Sequence, residues 1–215
     1  MTLMDGPKPA NIIARVMGII LHPKTEWEVI DGEAATVPGL YVGYAAILAV
    51  IPAVAQLVGG LRATCVLGLC VQNNPIFVVV GVVINYLLSL AALYGAALVI
   101  DALAPSFGGQ SNRLQALKLA IYSSTAYWLA SIFGALIIIP FVGLLLVLLT
   151  FAGLYSIYLF WVGLPILMKP PADKAVVYTL VSLLVVAVLM GIAIGIGSWI
   201  TGMGHAASGL VLHVG

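Results

Sequence analysis

Charged side chains are scarce in this sequence: Asp, Glu, Lys and Arg make up 7% of its 215 residues, whereas soluble domains average about 25%. Apolar residues make up 63%. A soluble domain of this composition would have too few polar side chains to cover its surface. The composition therefore excludes a soluble globule and a disordered chain, and it predicts an all-α polytopic membrane protein.

The sequence also has few groups suited to catalysis, metal binding or nucleic-acid recognition. Its eight Lys and Arg are balanced by seven Asp and Glu, so there is no surplus of positive charge to neutralise phosphates. Two cysteines and three histidines are a poor stock of metal ligands. Motifs for phosphate loops, zinc helices, nucleophile elbows and dinucleotide-binding turns are missing. We therefore predict a protein that is not an enzyme, with no catalytic residue, cofactor or metal, and with no nucleic-acid partner.

Five apolar segments are long enough to cross a membrane, which takes about 20 residues. No charge interrupts the chain from Leu119 to Met168. One helix of that length would measure about 75 Å against a hydrocarbon core of about 30 Å, so we expect a break at Pro140. The predicted spans are Pro38–Val58, Ile76–Ile100, Leu119–Ile139, Phe141–Met168 and Ala175–Ile200. They predict a five-span bundle over residues 38–200, after a cytoplasmic arm (residues 1–37) and before a flexible outer tail (residues 201–215).

The basic residues are divided unequally between the two sides of this bundle. Arg62 lies on one side, and seven basic residues lie on the other: Lys8, Arg15, Lys24, Arg113, Lys118, Lys169 and Lys174. Because basic loops stay in the cytoplasm, the division predicts a cytoplasmic N-terminus and a C-terminus outside. We expect the location to be the inner membrane of a bacterium, with the C-terminus in the periplasm.

The N-terminal arm contains two amphipathic segments. From Asn11 to Leu21 the apolar residues fall on one helical face. Thr25 and Glu28 have the spacing of a capping box, which predicts a second helix ending near Gly32. Trp27 is typical of an anchor in the headgroup region. We expect both helices to lie on the cytoplasmic membrane surface; the alternative is that they dock on the protein's own spans.

Two cysteines fall in the segment between the first and second spans. Cys65 and Cys70 are separated by four residues, on the side that the charge count places in the periplasm. A disulfide there would form in an oxidising compartment. The alternative is a pair of buried apolar thiols.

Uncharged polar residues recur at helical spacing within the second, third and fourth spans. They are Asn85, Ser89, Ser124, Tyr127, Ser131, Tyr155 and Tyr158. One interpretation is a polar, aromatic cavity that holds a lipid or a small ligand. The alternative is hydrogen bonding between helices, which stabilises membrane bundles.

Small residues repeat every fourth position in the fifth span. Ala187, Gly191 and Gly195 form this row, and such a row lets a neighbouring helix approach closely. It predicts either an interface with another copy or a partner protein, or packing against this chain's own spans.

Three stretches carry a family resemblance. The first is LHPKTEWEVI, which begins at Leu21, with DGEAATVPGLYVGYAAILAVIP after it. The second runs from Ala116 to Lys169 and contains IYSSTAYWL at the opening of the third span, and the third is DKAVVYTLV, which begins at Asp173. Together with the apolar runs up to Val188, they resemble bacterial members of the Yip family, relatives of the Ypt/Rab-interacting membrane proteins. The resemblance implies five spans and a cytoplasmic N-terminus, and no established enzyme activity. The long cytoplasmic domain of eukaryotic members is missing here, so Rab binding is not implied.

Two functions follow as expectations. The first is a non-enzymatic scaffold, accessory subunit or membrane organiser, with membrane lipids and other membrane proteins or a second copy as partners. The second is a small transporter or lipid-translocating protein that uses the polar faces of spans two to four.

Overall fold

The computed structural model describes residues 11–61, 64–66, 69–71, 74–136 and 142–207. Within these ranges the chain is almost entirely helical. Two turns of other helix types lie among the α-helices: a π-helical turn (Tyr41–Ala45) and a 3-10 turn (Ala104–Phe107). The α-helices are α1 (Ile12–Leu21), α2 (Pro23–Gly32), α3 (Val37–Leu40), α4 (Ala46–Leu61), α5 (Pro75–Leu103), α6 (Arg113–Ser123), α7 (Thr125–Ala130), α8 (Phe133–Leu136), α9 (Val142–Met168) and α10 (Ala172–Ala207).

Four of the described helical segments are long and apolar enough to cross a membrane. They are Val37–Leu61, Pro75–Phe107, Leu144–Met168 and Ala172–Ile192. Each overlaps one of the predicted spans, namely the first, second, fourth and fifth. The protein is therefore a multi-pass membrane protein, and its span boundaries follow the lengths of its apolar runs.

The predicted third span is not one helix. In place of a continuous Leu119–Ile139 helix, the described chain forms α6, α7 and α8, with interruptions at Ser124 and at Ser131. Both serine hydroxyls donate to the carbonyl four residues earlier, at 2.9 Å and 2.8 Å. Such bonds compete with the helical ladder and bend helices. Pro140, the predicted break before the fourth span, lies outside the described residues.

The segment between α4 and α5 contains a short antiparallel hairpin. Its strands are β1 (Thr64–Val66) and β2 (Leu69–Val71). The register places Cys65 directly opposite Cys70. Directly opposed residues have Cα atoms about 4.5–5.5 Å apart, which is within the range that a disulfide spans. The disulfide stays a prediction, now supported by the backbone register.

The C-terminal end departs from the expected flexible tail. Helix α10 continues through Ala207, so residues 201–207 are helical. The sequence after Ile200 is rich in Gly and Ala. Its hydropathy therefore did not indicate that the last helix continues beyond Ile200. Residues 208–215 lie outside the described chain.

The two N-terminal helices form a hairpin that packs on the bundle. Asn11 caps α1 by accepting a hydrogen bond from the Ile13 amide. Helix α2 begins at Pro23, two residues before the predicted capping box, because proline suits the first helical position. The Thr25 hydroxyl donates to the His22 carbonyl and so does not cap a helix. The docking of this hairpin on α6, α7 and α9 is the alternative that the sequence had left open.

Candidate functional site

A cavity of about 440 Å³ lies in the middle of the bundle. Helices α4, α5, α6, α7, α9 and α10 all contribute to its wall. Its volume is within the range of about 300–1,000 Å³ that small-molecule sites occupy. Three of its residues, Gln56, Tyr127 and Ile157, are exposed. The cavity therefore opens sideways, toward the surface that a membrane protein presents to lipid.

The wall of this cavity is mostly apolar and, within the described part of the chain, carries no charged side chain. Its polar members are amides, hydroxyls and phenols. They are Gln56, Asn85, Tyr86, Ser89, Ser123, Ser124, Tyr127 and Ser156.

Four of the seven polar residues singled out from the sequence meet here: Asn85, Ser89, Ser124 and Tyr127. They come together because α5 and the α6–α7 segment face each other across the cavity. The other three, Ser131, Tyr155 and Tyr158, do not line it.

Those three residues have other contacts. Ser131 is buried and bonds within its own helical turn. The Tyr155 hydroxyl donates to the Ile20 carbonyl at 2.6 Å, which ties α9 to α1. The Tyr155 and Tyr158 rings pack with centroids 5.5 Å apart. Tyr155 therefore belongs to hairpin docking rather than to the cavity, and Tyr158 packs beside it.

The hydroxyls and the amides of the cavity differ in how their polar atoms are satisfied. Ser89, Ser123 and Ser124 each donate to a backbone carbonyl of their own helix. Asn85 and Gln56 make no side-chain hydrogen bond to any described residue. Two carboxamides, each with donors and an acceptor, therefore border the cavity without a protein partner in the described chain.

A second polar cluster lies where the hairpin meets the bundle, and we call it the ionic cluster. Arg15 has a side chain only 3% exposed and forms ion pairs with Glu26 and Glu33, whose side chains are 19% and 10% exposed. The Arg15 guanidinium also lies 5.7 Å from the centre of the Tyr122 ring, a cation–π distance. The arginine thus joins α1 to the beginning and end of α2 and to α6.

Lys118 extends the ionic cluster from α6. Its ammonium donates to the carbonyls of Ile30 and Glu33, each at 2.7 Å. The lysine caps the last carbonyls of α2, where the helix dipole favours a cation.

Asp31 also holds the C-terminal end of α2 in place. Its carboxylate accepts from the Lys169 ammonium at 2.9 Å and from the Gln115 amide at 2.8 Å. Lys169 directly follows α9 and has a positive φ of 48°. The end of α2 is therefore held by residues of α6 and of the α9–α10 connection.

Trp27 lies inside this contact, with 0% of its surface exposed. Its ring covers Gly163 of α9: a Cβ at that glycine would lie 2.5 Å from Cε2 of the Trp27 ring. The expected position among lipid headgroups is therefore corrected. The indole fills a space that the glycine leaves open, and burial of its apolar ring surface is favourable, although its Nε1–H has no hydrogen-bond partner among the described residues.

The ionic cluster was not predicted from the sequence. Arg15 and Lys118 counted there as cytoplasmic charges. Its residues come from α1, α2 and α6, and no regular spacing in the sequence relates these helices. The sequence therefore could not predict that the residues meet. Gln56 did have a local signal: it is an amide within an apolar span.

The row of small residues on α10 faces outward. Ala187, Gly191 and Gly195 are exposed, and a Cβ at either glycine would meet no described atom within 4 Å. This row does not make a close contact with the described helices of its own chain. An interface with a second copy or a partner stays a prediction.

Comparison with known proteins gives one match. The family model described as Yip1 domain matches residues 17–195, a range that begins within α1 and ends within α10. No curated protein and no solved structure matches the chain. Because the family model covers most of the sequence, including the cavity, α2 and the members of the ionic cluster other than Arg15, this chain belongs to the Yip1 domain family.

Proposed function

We propose that this protein is a non-enzymatic scaffold or accessory subunit of a bacterial inner membrane. The observation that carries the proposal is the ionic cluster. Arg15, Glu26, Glu33 and Lys118 are engaged with one another or with helix ends, so they build a fixed cap on the bundle and present no free catalytic group. A fixed cap is what a platform for other membrane proteins requires.

The proposal includes five crossings of the membrane, with α6, α7 and α8 together as the third. Lys118 of α6 lies against the N-terminal hairpin. A Cβ at Gly134 of α8 would lie 3.6 Å from the Cβ of Ala55, in the last third of Val37–Leu61. The broken segment thus runs from the hairpin toward the far end of α4. This course supports a crossing in three short helices.

The proposed orientation has the N-terminus in the cytoplasm and the C-terminus in the periplasm. The unequal division of basic residues supports it. Helix α1 adds an exposed apolar stripe of Ile13, Met17 and Leu21 beside its docked face. We propose that this stripe contacts the membrane interface while the opposite face packs on the protein. Reporter fusions after Phe107 and Pro171 are expected to be active inside the cell, and an external reporter at either site would overturn the orientation.

Ion transport through the same helices is less well supported. Intramembrane ion pathways are marked by ionisable residues, and the cavity wall has none among the described residues. The polar groups there suit binding of an uncharged molecule better than passage of an ion.

Affinity purification in a mild detergent, followed by mass spectrometry, tests the scaffold role. We expect a reproducible membrane-protein partner at a fixed ratio to the chain. An Arg15→Met variant with a loosened hairpin is expected to lose that partner, whereas a variant at the exposed Arg113 keeps it. Recovery of the chain alone, with wild-type hairpin docking intact, would overturn the proposal.

A further inference from the structure

We propose that the lateral cavity binds a neutral membrane lipid of the diacylglycerol class, with an acyl chain along its apolar wall and an uncharged hydroxyl or ester group at Asn85 and Gln56. The proposal concerns a ligand of the bundle and does not depend on a protein partner. It follows from the cavity's chemistry, its opening and its unpaired amides.

The charge of the wall restricts the ligand class. Phosphate headgroups are usually held by Arg, Lys or helix N-termini. The described wall offers amides, hydroxyls and phenols and no cation. Burying a phosphate among these groups would leave its charge uncompensated, which is costly. An uncharged head avoids that cost.

The two carboxamides favour a ligand whose oxygen atoms can form hydrogen bonds with them. Asn85 of α5 and Gln56 of α4 lack a hydrogen-bond partner within the described chain, and both border the cavity. A polar group left unpaired in an apolar environment is unfavourable. A hydroxyl or ester group of a lipid can donate to, or accept from, these amides. A purely hydrocarbon ligand would leave both amides unpaired.

The exposed residues at the opening of the cavity indicate that its ligand enters from the bilayer. Tyr127 is 45% exposed and Ile157 is 47% exposed, and they lie on α7 and α9. Trp128, 5% exposed, forms part of the inner wall. A lipid can therefore reach the cavity past the exposed wall residues Gln56, Tyr127 and Ile157 without crossing an aqueous face, and its chain then lies beside the Trp128 indole.

The position of Trp128 supplies an optical test. The protein is reconstituted in nanodiscs and titrated with dioleoylglycerol whose chains carry bromine, which quenches indole fluorescence on contact. We expect saturable quenching of the wild-type indole fluorescence. In Trp128→Phe we expect this saturable part of the quenching to be lost. Brominated dioleoyl phosphatidic acid has the same chains with a charged head, and we expect it to quench at least tenfold less effectively.

Two substitutions test the site itself. Gly153 lines the cavity, and a Cβ there meets no described atom within 4 Å, so Gly153→Leu fills space without a clash at its first carbon. Gly95 is equally open and does not line the cavity, so Gly95→Leu is the matched control. We expect Gly153→Leu to abolish saturable quenching and Gly95→Leu to preserve it. Asn85→Leu should weaken it about three- to tenfold, the effect of one lost hydrogen bond.

Four results would overturn the proposal. These are equal quenching by the phosphatidic acid, quenching that stays non-saturable, quenching unaffected by Gly153→Leu, or a cross-link between two copies through a cysteine placed at Tyr127. The last result would mean that a second chain occupies the opening. Size-exclusion elution and helical circular dichroism of every variant establish that each one is folded, so that loss of binding is assigned to the cavity.

Discussion

Replacing Arg15 with methionine tests whether the ionic cluster holds the hairpin on the bundle. Methionine keeps an unbranched apolar side chain and removes the cation. Glu26 and Glu33 then lose a shared partner while staying mostly buried. Leaving a buried charge unpaired costs about 3–5 kcal/mol. Because Glu26 is partly exposed to water, we expect the docking free energy to fall by about 3 kcal/mol, near the lower end of that range.

Hydrogen exchange measures this loss directly. A change of about 3 kcal/mol corresponds to roughly a hundredfold shift in the docking equilibrium. Backbone amides of Ile12–Leu21 should therefore exchange about a hundredfold faster in the variant, because undocking exposes them. Amides within Val142–Met168 serve as an internal reference, and we expect their exchange to stay unchanged.

Arg113→Met is the matched control for this substitution. The Arg113 side chain is 59% exposed and pairs with Asp101 at 3.8 Å, and such surface pairs contribute about 0–1 kcal/mol. A double variant of Arg15→Met with Glu33→Gln should recover part of the lost protection, since it removes one unpaired charge. The reasoning is refuted if Arg15→Met changes exchange of α1 less than threefold, or if Arg113→Met has the same effect.

Three further substitutions or treatments follow from the described contacts. Gly163→Ala should lower the thermal unfolding temperature, because the new methyl overlaps the Trp27 ring and overpacking costs about 1–3 kcal/mol. Cys65 and Cys70 should resist alkylation until a reductant is added, as measured by intact mass. Gly191→Ile should reduce chemical cross-linking between copies in membranes, because it adds bulk to the exposed face of α10.

Each of these predictions has its own control and contrary outcome. Gly153→Ala adds a methyl where space is open and should leave the unfolding temperature unchanged; an equal drop for both glycines would contradict the packing argument. Alkylation of both thiols without reductant would rule out the disulfide. Gly95→Ile is the control for cross-linking, and unchanged cross-linking in Gly191→Ile would place any self-association elsewhere.

The sequence predicts those parts of the fold that depend on local apolar content. Four span positions could be predicted because a long apolar run is stable in lipid only as a helix. Half of the cavity's polar wall residues, namely Asn85, Ser89, Ser124 and Tyr127, could also be predicted, because helical spacing places residues on one face. Both inferences need only neighbouring positions in the chain.

The features that the sequence did not predict depend on competing hydrogen bonds or on contacts between residues that are distant in the sequence. The third span is interrupted at Ser124 and Ser131, whose hydroxyls bond to backbone carbonyls, and hydropathy does not measure such bonds. Trp27 was expected in the headgroup region because tryptophan, with its amphipathic ring, is typical of that region. Its buried position depends on Gly163, more than a hundred residues later. The sequence allowed two positions for the hairpin, on the membrane surface or on the protein's own spans. Contacts with residues distant in the sequence determine which position it takes.

The hairpin contacts also impose an order on synthesis. The bond from Tyr155 to Ile20 joins residues 135 positions apart, and the contacts of Lys118 span 85 to 88 positions. At about 5–20 residues per second, roughly 7–27 seconds separate translation of α1 from translation of its last partner. During that interval Trp27 and Arg15 lack the surfaces that bury them. The first helices made therefore cannot reach their final position until α9 is inserted, and until then they must be held at the ribosome, the insertion machinery or the membrane surface.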